Sequence, residues 1–206
     1  MPHLDQWRQM WKELGAATCD DSLFHELIAC YSEAHRRYHT PQHLDECLAK
    51  LQEVVSVAEH PREIELALWF HDAIYDVKRQ DNEERSAEWA QSAVREAGLS
   101  VAAAARVRAM VMATRHNAVP EGADAQILID IDLSILGAEA QRFDEYERQI
   151  REEYAWVPGI LFRRERRKIL EQIVERPRIF NTEHFFKTLE VRARGNLERS
   201  IRQLGG

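Results

Sequence analysis

The sequence predicts an all-α protein, a multi-helix bundle. Apolar residues return every three to four positions along most of the 206 residues, and no stretch shows the alternation and β-branched enrichment of a strand. Turn signals, among them Gly15, His60-Pro61, Gly98, Gly137 and Pro158-Gly159, cut this pattern into helices of ordinary length. Leu4, Trp7, Met10, Trp11 and Leu14 form one stripe of a first helix, which Gly15 ends. "DDSLFHELIACYSEAH" opens on good N-cap residues and carries Leu23, Leu27, Ile28 and Tyr31 on one side. "TPQHLDECLAKLQEVVSVAE" starts with Thr40 as cap and Pro41 at the first helical position, and His60-Pro61 stops it. "REIELALWFHDAIYD" is apolar almost all round from Ile64 to Phe70, as a central helix is.

Four further helices are expected at about Asn82 to Ala97, Val101 to Arg115, Asp124 to Leu136 and Ala138 to Ala155, with a "VPEG" turn at Val119 to Gly122. "ILIDIDLSIL" has the composition of a strand, and its helical context decides for helix. "ILFRRERRKILEQIVER" and a last helix from about Thr182 to Leu204 complete the chain. Trp69, Trp89 and Trp156 read as core residues.

A chain of this length, 45% hydrophobic, buries one sizeable core, and one domain is the default. A net charge of −7 argues against retention on nucleic acid or an anionic membrane by bulk electrostatics. Cys19, Cys30 and Cys47 make an odd set with no C-x-x-C spacing, which fits a reducing cytoplasm. No apolar run approaches the ~20 residues that span a bilayer.

Polar groups set against the apolar framework are the candidates for chemistry. His71-Asp72 closes the most hydrophobic stretch, "LALWFHD", where an imidazole and a carboxylate cost several kcal/mol unless paired or bound to a cation. In "YHTPQHLDE", His39 and His43 stand four residues apart at a helix start, so both can project toward one point. Asp130 and Asp132 interrupt "LIDIDLSIL", and at least one of them faces inward. Taken singly, each has a plain reading as a cap or a satisfied core residue. Together, two imidazoles and two carboxylates suit one divalent ion, Mn, Fe, Co, Ni, Zn or Mg, which would offset all the desolvation costs at once. Cys47, one turn beyond His43, reads as a small buried hydrophobe.

In this order, His43, His71-Asp72 and Asp132 resemble the H…HD…D signature of HD-domain metal-dependent phosphohydrolases. "YHTPQHL", "LALWFHDAIYD", "DNEERSA" and "DIDLSILG" look like the bacterial branch described as predicted HD phosphohydrolases, and "IREEYAWVP", "RRKILEQIVERPRIFNT" and "EVRARGNL" extend the likeness almost to the end. Cyclic nucleotide phosphodiesterases are distantly similar. The resemblance implies a single HD-type domain over 1–206, with a core at about 20–136 and C-terminal helices at about 138–204 packed on it. It implies that His43, His71, Asp72 and Asp132, rather than Asp130, bind metal. It makes His39 the general acid and Glu83 the acceptor that orients it.

The chemistry fits that division: phosphate ester hydrolysis needs activated water, charge neutralisation and a proton for the leaving oxygen, and an imidazole beside the metal can deliver the proton near neutral pH. Asp72, if it bridges two ions, would also help to hold the attacking water. His116, Asp76 and Asn82 are candidates for a second ion or for substrate, and Arg37 and Arg115 for phosphate. The "FRRERRK" run reads as a solvated face paired with Glu165 and Glu171. The expected function is metal-dependent hydrolysis of a phosphate mono- or diester, nucleotide-like, with one or two ions. The alternatives are a metal-binding nucleotide sensor of little turnover and a helical interaction protein. The expected partner is a small phosphate ester, nucleotides included, with no membrane and no stable nucleic-acid partner, and the sequence is compatible with a homodimer.

Overall fold

In the computed structural model, which describes residues 4–116 and 120–205, every regular element is helical and no strand occurs among the described residues. The first residue of the expected "VPEG" turn, Val119, lies outside them. The chain forms two compact units, the first running to Ile131 and the second beginning at Asp132.

The first unit starts with α1 (Leu4–Leu14), whose Trp7, Met10 and Trp11 are buried, and Gly15 ends it with φ +78°, a conformation that costs glycine little. In α2 (Asp21–Tyr31), the Asp20 side chain accepts from the Ser22 N–H at 2.7 Å. Its buried residues are Phe24, Leu27 and Tyr31, so Phe24 and not Leu23 faces the core. The helix stops at Tyr31, four residues short of His35, and Ser32 caps it, its hydroxyl and N–H both donating to the Ile28 carbonyl. Helix α3 (Pro41–Val54) starts at Pro41 behind an extended Thr40 and runs into a short 3₁₀ turn, Val55–Val57.

Helix α4 (Pro61–Phe70) is the axis of this unit: every residue from Glu63 to Phe70 is buried, and it packs against α1, α3, α5 (Asn82–Glu96) and α6 (Val101–Ala113). Fully burying each large apolar side chain contributes roughly 1.5–3 kcal/mol. Trp69 meets Trp7 edge-on at 4.9 Å, and Phe24 lies 5.6 Å away. The two buried acids of the helix are paired: Glu63 receives both nitrogens of the Arg106 fork at 2.6 and 2.7 Å, and Glu65 receives Arg62. Helix α7 (Ala123–Asp132) is shorter than expected, because the chain tightens into a 3₁₀ segment, Leu133–Gly137, where one longer helix was predicted.

The second unit comprises that 3₁₀ segment, α8 (Ala140–Glu153), α9 (Gly159–Val174) and α10 (Glu183–Leu204). Its centre is the approach of α10 to the 3₁₀ segment. A Cβ on Gly137 would stand 2.7 Å from the Leu189 Cβ, so only glycine fits there, and Asn196 donates to the Leu136 and Ala138 carbonyls. In α9 only Leu170 is buried. Arg164 and Lys168 pair with Glu165, and Arg167 with Glu171, so most of the basic run is the solvated face expected. Arg166 instead turns inward to Glu147 and the Tyr146 hydroxyl. Trp156 is 55% exposed, against its expected place in a core.

Candidate metal centre

The site grows out of the two ends of neighbouring helices. Helix α4 stops at Phe70, and the last carbonyls of a helix have no intrahelical partner. One of these, Leu68 O, lies 2.7 Å from His71 Nδ1, and the Tyr31 hydroxyl reaches the same carbonyl and that of Trp69. A carbonyl can only accept, so Nδ1 carries the hydrogen, and in the neutral ring Nε2 is left as a lone pair. This is the second-atom bond that orients metal-binding histidines. Asp72 follows directly, with 19% of its side chain exposed.

Helix α3 supplies the other half. Pro41 and Thr40 fix where the helix begins, which sets His43 in its first turn, 2% exposed. His43 Nε2 lies 3.1 Å from His71 Nε2 and 3.5 Å from Asp72 Oδ2, and His71 Nε2 lies 3.0 Å from the same oxygen. A triangle with these sides has a circumscribed radius of about 1.9 Å, just inside the 2.0–2.2 Å of metal bonds to nitrogen and oxygen. The three donors therefore fit one ion.

His43, Cys47 and His71 each present a ligand atom within 4.8 Å of the others, a buried group able to hold a metal. The sulfur, however, is 3.8 Å from His43 Nδ1 and 3.7 Å from Nε2. A point equidistant from both ring nitrogens stands off the ring itself and not beside the Nε2 lone pair, so Cys47 packs against the ligand imidazole, as expected of a buried small hydrophobe.

Burial alone would push the Asp72 carboxyl up, but His71, His39 and His43 together hold it well below the usual carboxylate range. His39 lies before the helix, half-buried, its ring 4.1 Å from that of Tyr75 with the planes tilted by 31°, and 5.9 Å from the His43 ring at a steep angle. It is thus a neighbour of the donor triangle and not one of its corners. Tyr75 was not singled out from the sequence; its signal is its place in "HDAIYD", one turn past the dyad.

Asp130 is fully buried near the end of α7, and Asp132, the last residue of that helix, is part-buried. Glu83 faces Arg115 at 3.7 Å, and Arg115 also meets Glu84 at 3.4 Å. Asn82 and Asp76 stitch a turn: Asn82 accepts from the Asp76 N–H and donates to the Asp76 carbonyl, while the Asp76 carboxylate accepts from Lys78 N–H. His116 follows the end of α6 with φ +53°. Arg37 is exposed and donates to the Ala34 and Arg36 carbonyls.

No protein-family model, no curated protein and no solved structure matches the chain. No helix among the described residues is long and apolar enough to cross a membrane.

Proposed function

We propose that the protein is an HD-type, metal-dependent phosphohydrolase acting on a phosphate mono- or diester of nucleotide-like character. The observation that supports this best is the convergence of His43 Nε2, His71 Nε2 and Asp72 Oδ2 at mutual distances of 3.0 to 3.5 Å, with a further imidazole, His39, alongside. Asp132 is proposed as the fourth ligand. The donor set of two imidazoles and carboxylates admits Mn, Fe, Co, Ni, Zn or Mg.

When bound, the divalent ion supplies Lewis acidity toward phosphoryl oxygens and lowers the pKa of water. The protein's own groups do the rest. Asp72, kept anionic by the imidazoles around it, accepts a hydrogen bond from the attacking water and orients it. His39, held against Tyr75, gives its proton to the leaving oxygen. Arg37 offers its charge to phosphate from the exposed rim, and Glu83 orients His39 only if it leaves Arg115. We propose one ion, because Asp76 and Asn82 are already engaged in holding their turn; with His116 they would take a second only if that turn opened.

A second reading, a metal-holding nucleotide sensor with little turnover, is favoured by one observation: the charge of Arg115 is already matched by Glu83 and Glu84. Metal analysis, followed by a screen of metal-loaded protein against nucleoside phosphates, cyclic nucleotides and an aryl phosphate, separates the cases. Stoichiometric metal with turnover is expected, and His39→Ala should keep the metal while the rate falls roughly 10²-fold or more. Metal without turnover points to the sensor. Protein that takes up no ion on reconstitution ends both readings.

A further inference from the structure

Arg36 stands out among the buried polar residues because its guanidinium reaches across the candidate site. It is 3% exposed, and its guanidinium lies over the rings of Tyr31 and Tyr75 at 5.3 and 5.4 Å. One terminal nitrogen donates to the carbonyls of His39 at 3.2 Å and Asp72 at 2.6 Å, and the other to Ala73 at 2.9 Å. The remaining nitrogen, Nε, meets Glu33 at 3.1 Å. In the fold its donors are directed at backbone, and the acid that balances it stands on the outer side.

The three accepting carbonyls belong to the two segments that carry the chemistry. His39 O is in the histidine stretch, four residues before His43, and Asp72 O and Ala73 O belong to the dyad and its turn. Both segments are irregular backbone there, since α3 has not begun and α4 has ended. Such carbonyls need donors when buried, and a planar fork of fixed geometry supplies several from one side chain. A lysine carries the charge but lacks the fork.

We propose that Arg36 is a positioning residue: by bonding His39, Asp72 and Ala73 through their carbonyls, it fixes the distance between the His43 imidazole and the His71-Asp72 pair. This rests on the metal-site reading above. Arg36 touches neither ion nor substrate and acts only through the backbone of the groups that do.

The test is cobalt binding by Arg36→Lys and Arg36→Ala, followed by visible d–d absorption and competition with a chelator, with helical circular dichroism recorded in parallel. The wild type is expected to bind one Co²⁺. Both variants should keep their helical signal, bind Co²⁺ roughly 10- to 100-fold more weakly, as loss of outer partners does elsewhere, and show an altered d–d spectrum. Methylguanidinium should restore the spectrum of Arg36→Ala and not that of Arg36→Lys, whose ammonium fills the space. Affinity within twofold of wild type and an unchanged spectrum in both variants overturn the proposal. So does weakened binding that follows lost helix content and resists methylguanidinium, which assigns Arg36 to the fold only. A wild type that binds no Co²⁺ defeats the metal reading itself, a result distinct from either.

Discussion

The two ends of α4 each carry a histidine against an aspartate, and only one of them reads as a site. At the N-terminal end, Asp124 accepts from the His60 ring at 2.9 Å and from the backbone N–H groups of Glu59 and His60 at 2.8 and 2.9 Å. At the C-terminal end, His71 and His43 turn their Nε2 atoms toward each other and toward Asp72. Glu59, His60 and Asp124 also lie close enough to hold an ion. Yet there the carboxylate is occupied by backbone donors, and the imidazole is 39% exposed, so water and the helix start account for the whole arrangement. In the other group two imidazoles at 1–2% exposure converge, and one has its second nitrogen committed to a carbonyl. A histidine beside an aspartate therefore says little; what matters is whether buried imidazoles and a carboxylate bring their donor atoms together at one point.

Removing a corner of the triangle breaks this comparison with the largest effect. Asp72→Asn should cut metal affinity by more than about a hundredfold, beyond the loss typical of outer partners. Metal at a hundred times its Kd stabilises a folded protein by about 2.7 kcal/mol, which for this chain length raises Tm by roughly 5–10 °C. Thermal denaturation with and without metal should show that rise for the wild type and for His60→Ala, and none for Asp72→Asn. Equal shifts in the two variants would mean that the ends of α4 do not differ.

The N-terminal group has its own, smaller prediction. His60 is the N-cap of α4 but makes no side-chain cap bond, and Asp124 brings a carboxylate to that helix start from α7. Asp124→Ala should cost about 1 kcal/mol in urea denaturation, the scale of a lost cap, and leave metal uptake unchanged. A loss of metal on this substitution would shift the site toward the other end.

How far this difference was legible depends on the range of the interactions involved. Helix boundaries follow from local chemistry, so Pro41 and Asp20 announce two starts and Gly15 a stop directly. His71-Asp72 was legible because a charged pair stands out at the end of "LALWFHD". The reach of Arg36 to the Asp72 and Ala73 carbonyls was not, since its partners lie 36 and 37 positions away and backbone oxygens leave no trace in a sequence. The pairing of Arg115 with the Glu83 and Glu84 side chains is hidden by a similar separation along the chain. His39, just before the cap, and His43, in the first turn, were expected to project toward one point; the Tyr75 ring, 4.1 Å from that of His39, is the neighbour their spacing does not show. Trp69 and Trp156 had equal claims on a core; one is 1% exposed and the other 55%, a difference set by neighbours far along the chain.

Between the two ends, Glu65 sharpens the comparison by the smallest effect. Asp72 is pushed below the carboxylate range by imidazoles around it, whereas burial pushes the Glu65 carboxyl up, with Arg62 only partly opposing. A carboxyl whose folded pKa lies above its unfolded value binds its proton more tightly in the native state. Its ionisation therefore lowers stability as pH rises from the unfolded value through the folded one, and the loss persists above both. Glu65→Gln removes that ionisation and should flatten the decline of Tm with rising pH just above the ordinary glutamate range, leaving the variant the more stable at neutral pH. An Arg62 ion pair strong enough to outweigh desolvation would give the opposite slope, with Glu65→Gln less stable there, and would place this acid with Asp72 as a group held charged by its partner.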